Sequence, residues 1–263
     1  AGVTSSALIF NADMTGTVAV SKTTVVGLYY GINLRHPKAV ATFTDVTVTS
    51  GTGGVGFNAD SLLAATIIFS GGSVTSADHA FRLPAVDSAS SLSIKDATIA
   101  SAAEAAVSTT GALDGKITVQ DSFLTGDKQP ILISGAASST AAISVERSTL
   151  ECTGAFAGIL LDGTFAGRLD VSLSTVKSVS ASAIHGNGAV TGAIKVQRSS
   201  VTSATGIGIQ LVSLTSGASL EVSGSAVTAT AATAVTIDGA VDGTSSIALN
   251  EVTTFGAVTG VAV

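Results

Sequence analysis

Four groups of side chains in this sequence have the types and spacing that chemistry needs. The densest is Arg35-His36-Pro37-Lys38, with the chain's two tyrosines, Tyr29 and Tyr30, just upstream. Basic side chains beside phenol rings make a contact for an acidic glycan or an acidic partner, and Pro37 assigns the cluster to a turn between strands. Its plainer reading is a solvated turn. In a second group, Asp162, His185 and Asp238 each follow an inward apolar residue at equivalent positions of a repeated strand. An Asp next to an imidazole can orient it for general-base work. The third is Asp96 and Asp121 on one column, followed by Arg147. Close carboxylates do acid–base chemistry or bind Ca²⁺. Here, however, Lys95 and Arg147 stand ready to neutralise them, and no third carboxylate converges. The fourth, Asp170, Lys195 and Glu221, alternates in charge on one column of successive strands. It reads as a solvated ladder worth about a few tenths of a kcal/mol per pair.

Those columns exist because the chain is a repeat. The phrase AIKVQRSSVTS (193–203) shows its grammar: Ile194 and Val196 point one way, Ser199 fills a bend, and Val201 points inward again. The residue before the corner recurs as Val20, Phe43, Phe69, Ile94, Val119, Val145, Val171, Val196, Val222 and Leu249, at intervals of 23 to 27 residues. A small residue follows three positions later: Thr23, Gly72, Ala97, Ser122, Ser148, Ser174, Ser199 and Ser225, with Val46 and Val252 as exceptions. Five positions after the marker an apolar column runs from Val25 to Val227, broken at Thr254. A third alternating strand lies about ten residues upstream of each marker pair, as in GINL (31–34), AFRL (80–83) and GIQL (208–211). Gly- and Ser-bearing turns such as GAASSTA (135–141) follow it.

Three strands in fixed register every 25 residues or so specify an all-β parallel β-helix, a single-chain β-solenoid. One coil alone cannot bury its inward side chains, whereas stacked coils share a continuous core. About ten coils of three strands each, at a strand spacing of about 4.8 Å, predict a rod roughly 50 Å long. Right-handed coiling is expected on fold precedent. Phe43 is predicted to stack on Phe69. Residues 1–263 form one domain with incomplete coils at both ends: Val3-Thr4-Ser5 matches the close of a corner phrase, and GAVTGVAV (256–263) the opening of the next coil. Such ends read as those of a segment of a longer solenoid or, through their open strand edges, of a subunit that pairs with further copies.

Composition excludes several function classes. The 263 residues are 46% hydrophobic, 11% charged and 4% aromatic, with no Trp. Helix-forming charged residues are few and β-branched ones many, in keeping with strands. The formal charge of −6 disfavours nucleic acid, which needs a clustered basic patch. No apolar run is long enough to span a bilayer. Cys152 is the single cysteine, so no intrachain disulfide forms. No Walker loop, HExxH, GxSxG or Cys/His cluster occurs. GTGGVGFNAD (51–60) shares only its glycines and last Asp with a calcium-binding nonapeptide and occurs once. No cofactor and no metal site are expected.

The rung phrases GAIKVQRSSVTS (192–203), ASLEVSGSAVTA (218–229) and GKITVQDSFLTG (115–126) resemble those of pertactin-like autotransporter passenger domains, and the likeness spans nearly the whole chain. The resemblance implies a right-handed β-helix exported to the cell surface, acting in adhesion or display, and it assigns a function to no residue. IHGNG (184–188) faintly resembles the GHG of polygalacturonases, but their NTD, DD and RIK motifs are absent. The expected function is therefore a non-enzymatic extracellular or cell-surface solenoid, with Tyr29, Tyr30, Arg35, His36 and Lys38 as its binding residues and a host surface, a glycan or further copies of itself as partners. A subunit assembling end to end into a fibre and a polysaccharide-degrading enzyme are the alternatives.

Overall fold

The computed structural model describes residues 6–14, 16–38, 40–256 and 261–262. Among them the chain is all-β: 29 strands form one sheet of 11 and one of 18, stacked in parallel as a solenoid of about ten turns of roughly 25 residues. A coil is counted from each strand of the smaller sheet. Coil one opens at Ser6–Met14, two at Tyr30–Pro37, three at Val55–Ala59, four at Phe81–Leu83, and five at Val107–Thr109. Coils six to ten open at Ile131–Ile133, Ile159–Leu161, Ile184–Val190, Ile209–Leu214 and Val235–Ile237.

The register is the one the repeat predicts. From Val20 to Leu249, each marker is paired with the next. The column from Val25 to Thr254 is likewise continuous. Burial alternates along these strands, as in Lys116–Gln120, where Ile117 and Val119 are fully enclosed. The turns hold more than Gly and Ser. Leu63, Val86, Leu113, Ala137, Phe165 and Val190 form a ladder of single bridges, all buried, which closes the core between the two sheets. At the chain's beginning, Val3-Thr4-Ser5 lies outside the described residues. Of the closing phrase, Val261–Ala262 pairs with coil ten as a further strand would.

The predicted Phe43–Phe69 stack is only half right. The two are register partners, but their rings pack across the core. Phe43 meets Phe57 edge-on at 5.2 Å, Phe57 stacks on Phe81 at 5.2 Å, and Phe81 meets Phe69 edge-on at 5.7 Å. Phe43 and Phe69 each find their ring contact on the facing sheet, whereas Phe57 and Phe81 are register partners stacked within the smaller one.

The corner is made by the residue before the small one, a backbone role the sequence did not reveal. Lys22, Asp45, Asp96, Asp121, Arg147, Leu173, Arg198 and Glu251, each two places after its marker, have φ between 47° and 54°. A non-glycine residue there costs about 1–2 kcal/mol, so the ladders on either side must hold it. The small residue that follows has a second task besides fitting the bend. Its backbone N–H faces the next coil, where a serine hydroxyl receives it. The Ala97 N–H donates to Ser122 Oγ (3.1 Å), and so on through Ser148, Ser174 and Ser199 to Ser225. Each hydroxyl in turn donates to the carbonyl two residues earlier, at 2.7–2.8 Å. The serines are 4–7% exposed, and without them a file of buried N–H groups would lack acceptors.

Candidate functional site

The predicted basic cluster does not sit in a turn. Arg35, His36 and Pro37 end the strand Tyr30–Pro37, and His36 and Pro37 pair in the backbone with Asp13 and Met14 of coil one. Proline is tolerated there because the strand is near its end. Lys38 follows the strand and borders a surface hollow of about 350 Å³ with Thr17, Val40 and Thr66. Tyr30 and Arg35, five residues apart on one strand, are separated by roughly 16 Å along it, so the tyrosines and the basic residues form no single pocket.

They are instead the two ends of a network. Asn33, Asn58 and Arg82 are register partners on the outward face of coils two to four. Arg82 Nε donates to Asn58 Oδ1 (2.8 Å), and Asn58 Nδ2 to Asn33 Oδ1 (3.0 Å) and to Asp60. Asn33 Nδ2 donates to Asp60 Oδ2 (3.1 Å), and Arg35 Nε lies 3.7 Å from that oxygen. At the other end Arg82 Nη2 donates to the Tyr30 hydroxyl (3.2 Å), with its guanidinium 5.8 Å from the ring centroid. Tyr29 packs edge-on against Tyr30 at 5.5 Å and is 55% exposed. The asparagines are buried and serve as the link, while Tyr29, Arg35 and Asp60 face solvent. Rigid side chains joined over three coils lose little entropy on binding.

The Asp96–Asp121–Arg147 column follows its expectation. Arg147 grips Asp121 with two parallel hydrogen bonds of 2.7 and 3.0 Å, also contacts Glu146, and Lys95 lies 4.0 Å from Asp96. The Arg147 hydrogen bond holds the Asp121 carboxyl below the usual carboxylate range, and Asp121 raises the guanidinium's already high pKa. Asp96, Asp121 and Arg147 line an open groove of about 560 Å³ with Phe123. Asp170, Lys195 and Glu221 are register partners as read, with Lys195 Nζ 3.1 Å from Glu221 Oε2; Asp170 pairs with Arg168 on its own strand.

Asp162 and His185 are not equivalent, which corrects the sequence reading. Each smaller-sheet strand has two inward positions, and Ile184 pairs with Ile159, not with Leu161. His185 therefore stands beside Leu160 and Gln210, while Asp162 accepts from Asn187 Nδ2 (2.7 Å) and Asp238 from Gln210 Nε2 (2.7 Å). Burial lowers the His185 pKa more than the two aspartates raise it.

Cys152 takes a serine's place. It shares a column with Gly126 and with Ser101, Ser178 and Ser203, the three serines donating their hydroxyls to turn carbonyls, and its thiol contacts the Lys128 and Gly154 carbonyls. Burial pushes its pKa up, away from a nucleophilic thiolate.

One cluster was not singled out from the sequence. Asp78 and Glu104 lie three residues before the register partners Phe81 and Val107, so they occupy one position in successive turns, with His79 between them. A donor atom from each of the three lies within 4.8 Å of the other two. Lys128, next in that column, contacts Glu104 Oε1 and stands 5.8 Å from the Phe156 ring centroid. Burial lowers the His79 pKa, against the pull of Asp78 and Glu104. The available signal was a shared offset of three residues before the inward Phe81 and Val107. No family model, curated protein or solved structure matches this chain.

Proposed function

We propose that this β-solenoid works outside the cell or on its surface as a non-catalytic scaffold that binds an acidic or polar glycan through coils two to four. The observation that carries the reading is the network from Tyr30 through Arg82, Asn58, Asn33 and Asp60 to Arg35. It holds an exposed aromatic face and an exposed guanidinium at fixed separation, as recognition of an extended saccharide requires. The rung phrases' resemblance to pertactin-like passenger domains supports export and adhesion or display. A panel of acidic and neutral glycans, titrated calorimetrically, tests both halves of the proposal. Binding should be reduced at least tenfold by Tyr29→Ala and by Arg35→Ala, without release of shorter products. Turnover of any glycan in the panel would replace this reading with that of an enzyme, and binding indifferent to both substitutions would move the site elsewhere.

A further inference from the structure

We propose that Asp78, His79 and Glu104 form a binding site for one divalent transition-metal ion of the zinc class. The donors are an imidazole nitrogen and two carboxylates from neighbouring turns, mutually within 4.8 Å. Tetrahedral zinc with bonds of about 2.0–2.2 Å needs donor separations near 3.4 Å. Small side-chain rotations close the difference. His79 Nε2 lies 3.8 Å from Asp78 Oδ1, too far for a hydrogen bond and near the spacing of two ligands on one metal.

An imidazole gives a metal one nitrogen, and the one that faces Asp78 Oδ1 is Nε2. His79 Nδ1, which is enclosed and has no hydrogen-bond partner, then carries the ring proton.

The backbone carrying the donors is already held. Ser101 Oγ donates to the Asp78 carbonyl (2.6 Å) and accepts from the Glu104 N–H (3.0 Å), so one hydroxyl clips both turns together. Ser76 Oγ donates to the same Asp78 carbonyl at 2.7 Å. Lys128 occupies Oε1 of Glu104, which leaves Oε2 for the metal and makes the ammonium a competitor. Mixed nitrogen and oxygen donors select Zn²⁺ and its transition-metal neighbours over Ca²⁺, which takes six to eight oxygens.

The test is isothermal titration of the whole metal-free chain with ZnCl₂, with CaCl₂ and MgCl₂ as separate arms. One equivalent of Zn²⁺ should bind, and Co²⁺ in its place should give the visible absorption of a tetrahedral site. His79→Gln and Glu104→Gln should each weaken binding by tenfold or more, while circular dichroism confirms an unchanged fold. Lys128→Ala should tighten it by removing the competing cation. His36→Gln and His185→Gln should have no effect. Absence of stoichiometric Zn²⁺ binding, binding preserved in His79→Gln, or a preference for Ca²⁺ would each overturn the proposal.

Discussion

Coils two to four and coils five to nine repeat the same phrase but are cross-linked differently. In the earlier coils the core is aromatic, with Phe43, Phe57, Phe69 and Phe81 in one connected set of ring contacts, and the outer face is tied by the Asn33–Asn58–Arg82 network. The strands Val40–Ser50 and Thr66–Ser76 run unbroken through the corner, where Val46 and Gly72 carry no hydroxyl for a ladder. In the later coils the markers are all valine, from Val119 to Val222, and the corner is stitched by Ser122, Ser148, Ser174, Ser199 and Ser225. Parallel pairing alone does not choose between coil neighbours of similar shape. Each region adds its own specific contacts, bulky interlocking rings in one and a directional hydrogen-bond file in the other. The candidate sites gather in and beside the aromatic region, where the outward positions are released from the repeat.

The largest effect that would test this division is in the aromatic set. Phe57→Ala removes both of its ring contacts and leaves a cavity. It should cost about 3–5 kcal/mol, read as a lowered urea midpoint. A loss below 1 kcal/mol would dissolve the distinction. Ser174→Ala comes next, because it orphans the buried Ser148 N–H. A loss of about 1–3 kcal/mol is expected. Thr23→Ala, whose exposed hydroxyl bonds only Ser21, should change stability by less than about 0.5 kcal/mol. Equal losses from the two would show that the serine file is ornamental.

Thr109, at the boundary between the regions, should respond in the opposite direction. It is register partner to the inward Leu83 and Ile133, is fully enclosed, and its hydroxyl has no partner. Thr109→Val keeps the shape and should raise stability by about 1 kcal/mol, measured from the same urea curves. The smallest effect concerns Asp121. Its folded pKa is depressed by Arg147, so the pair's contribution is present above about pH 4 and is lost as the pH falls through the folded value. Thermal midpoints of the wild type and Arg147→Ala should differ slightly near pH 7, converge in strong acid, and draw closer in high salt. A difference that grows on acidification would reverse the assignment.

The repeat's consequences could be read directly from the chain. Every partner from Val20 to Leu249 follows from one period, because a strand's side chains alternate with period two and a coil must bring like positions back over one another. Asp170, Lys195 and Glu221 were aligned for the same reason. Reading failed where two registers looked alike. Ile184 matched either inward position of the preceding coil, and taking the wrong one put His185 beside Asp162. Reading also failed at Arg35-His36-Pro37, where proline's turn preference yielded to the pairing of a strand end.

What the sequence determined by itself, then, is the period, the two inward columns of the larger sheet, and a small residue at every bend from coil four to coil nine. Tertiary structure alone decided that the residue before the bend is the one at positive φ, that Phe43 and Phe69 meet rings across the core, and that Asp78, His79 and Glu104 converge. The physical reason is common to all three. Contacts along a ladder are fixed by periodicity, which a sequence displays, whereas contacts across the core or between successive turns depend on the path of the non-periodic segments, which only the folded chain defines.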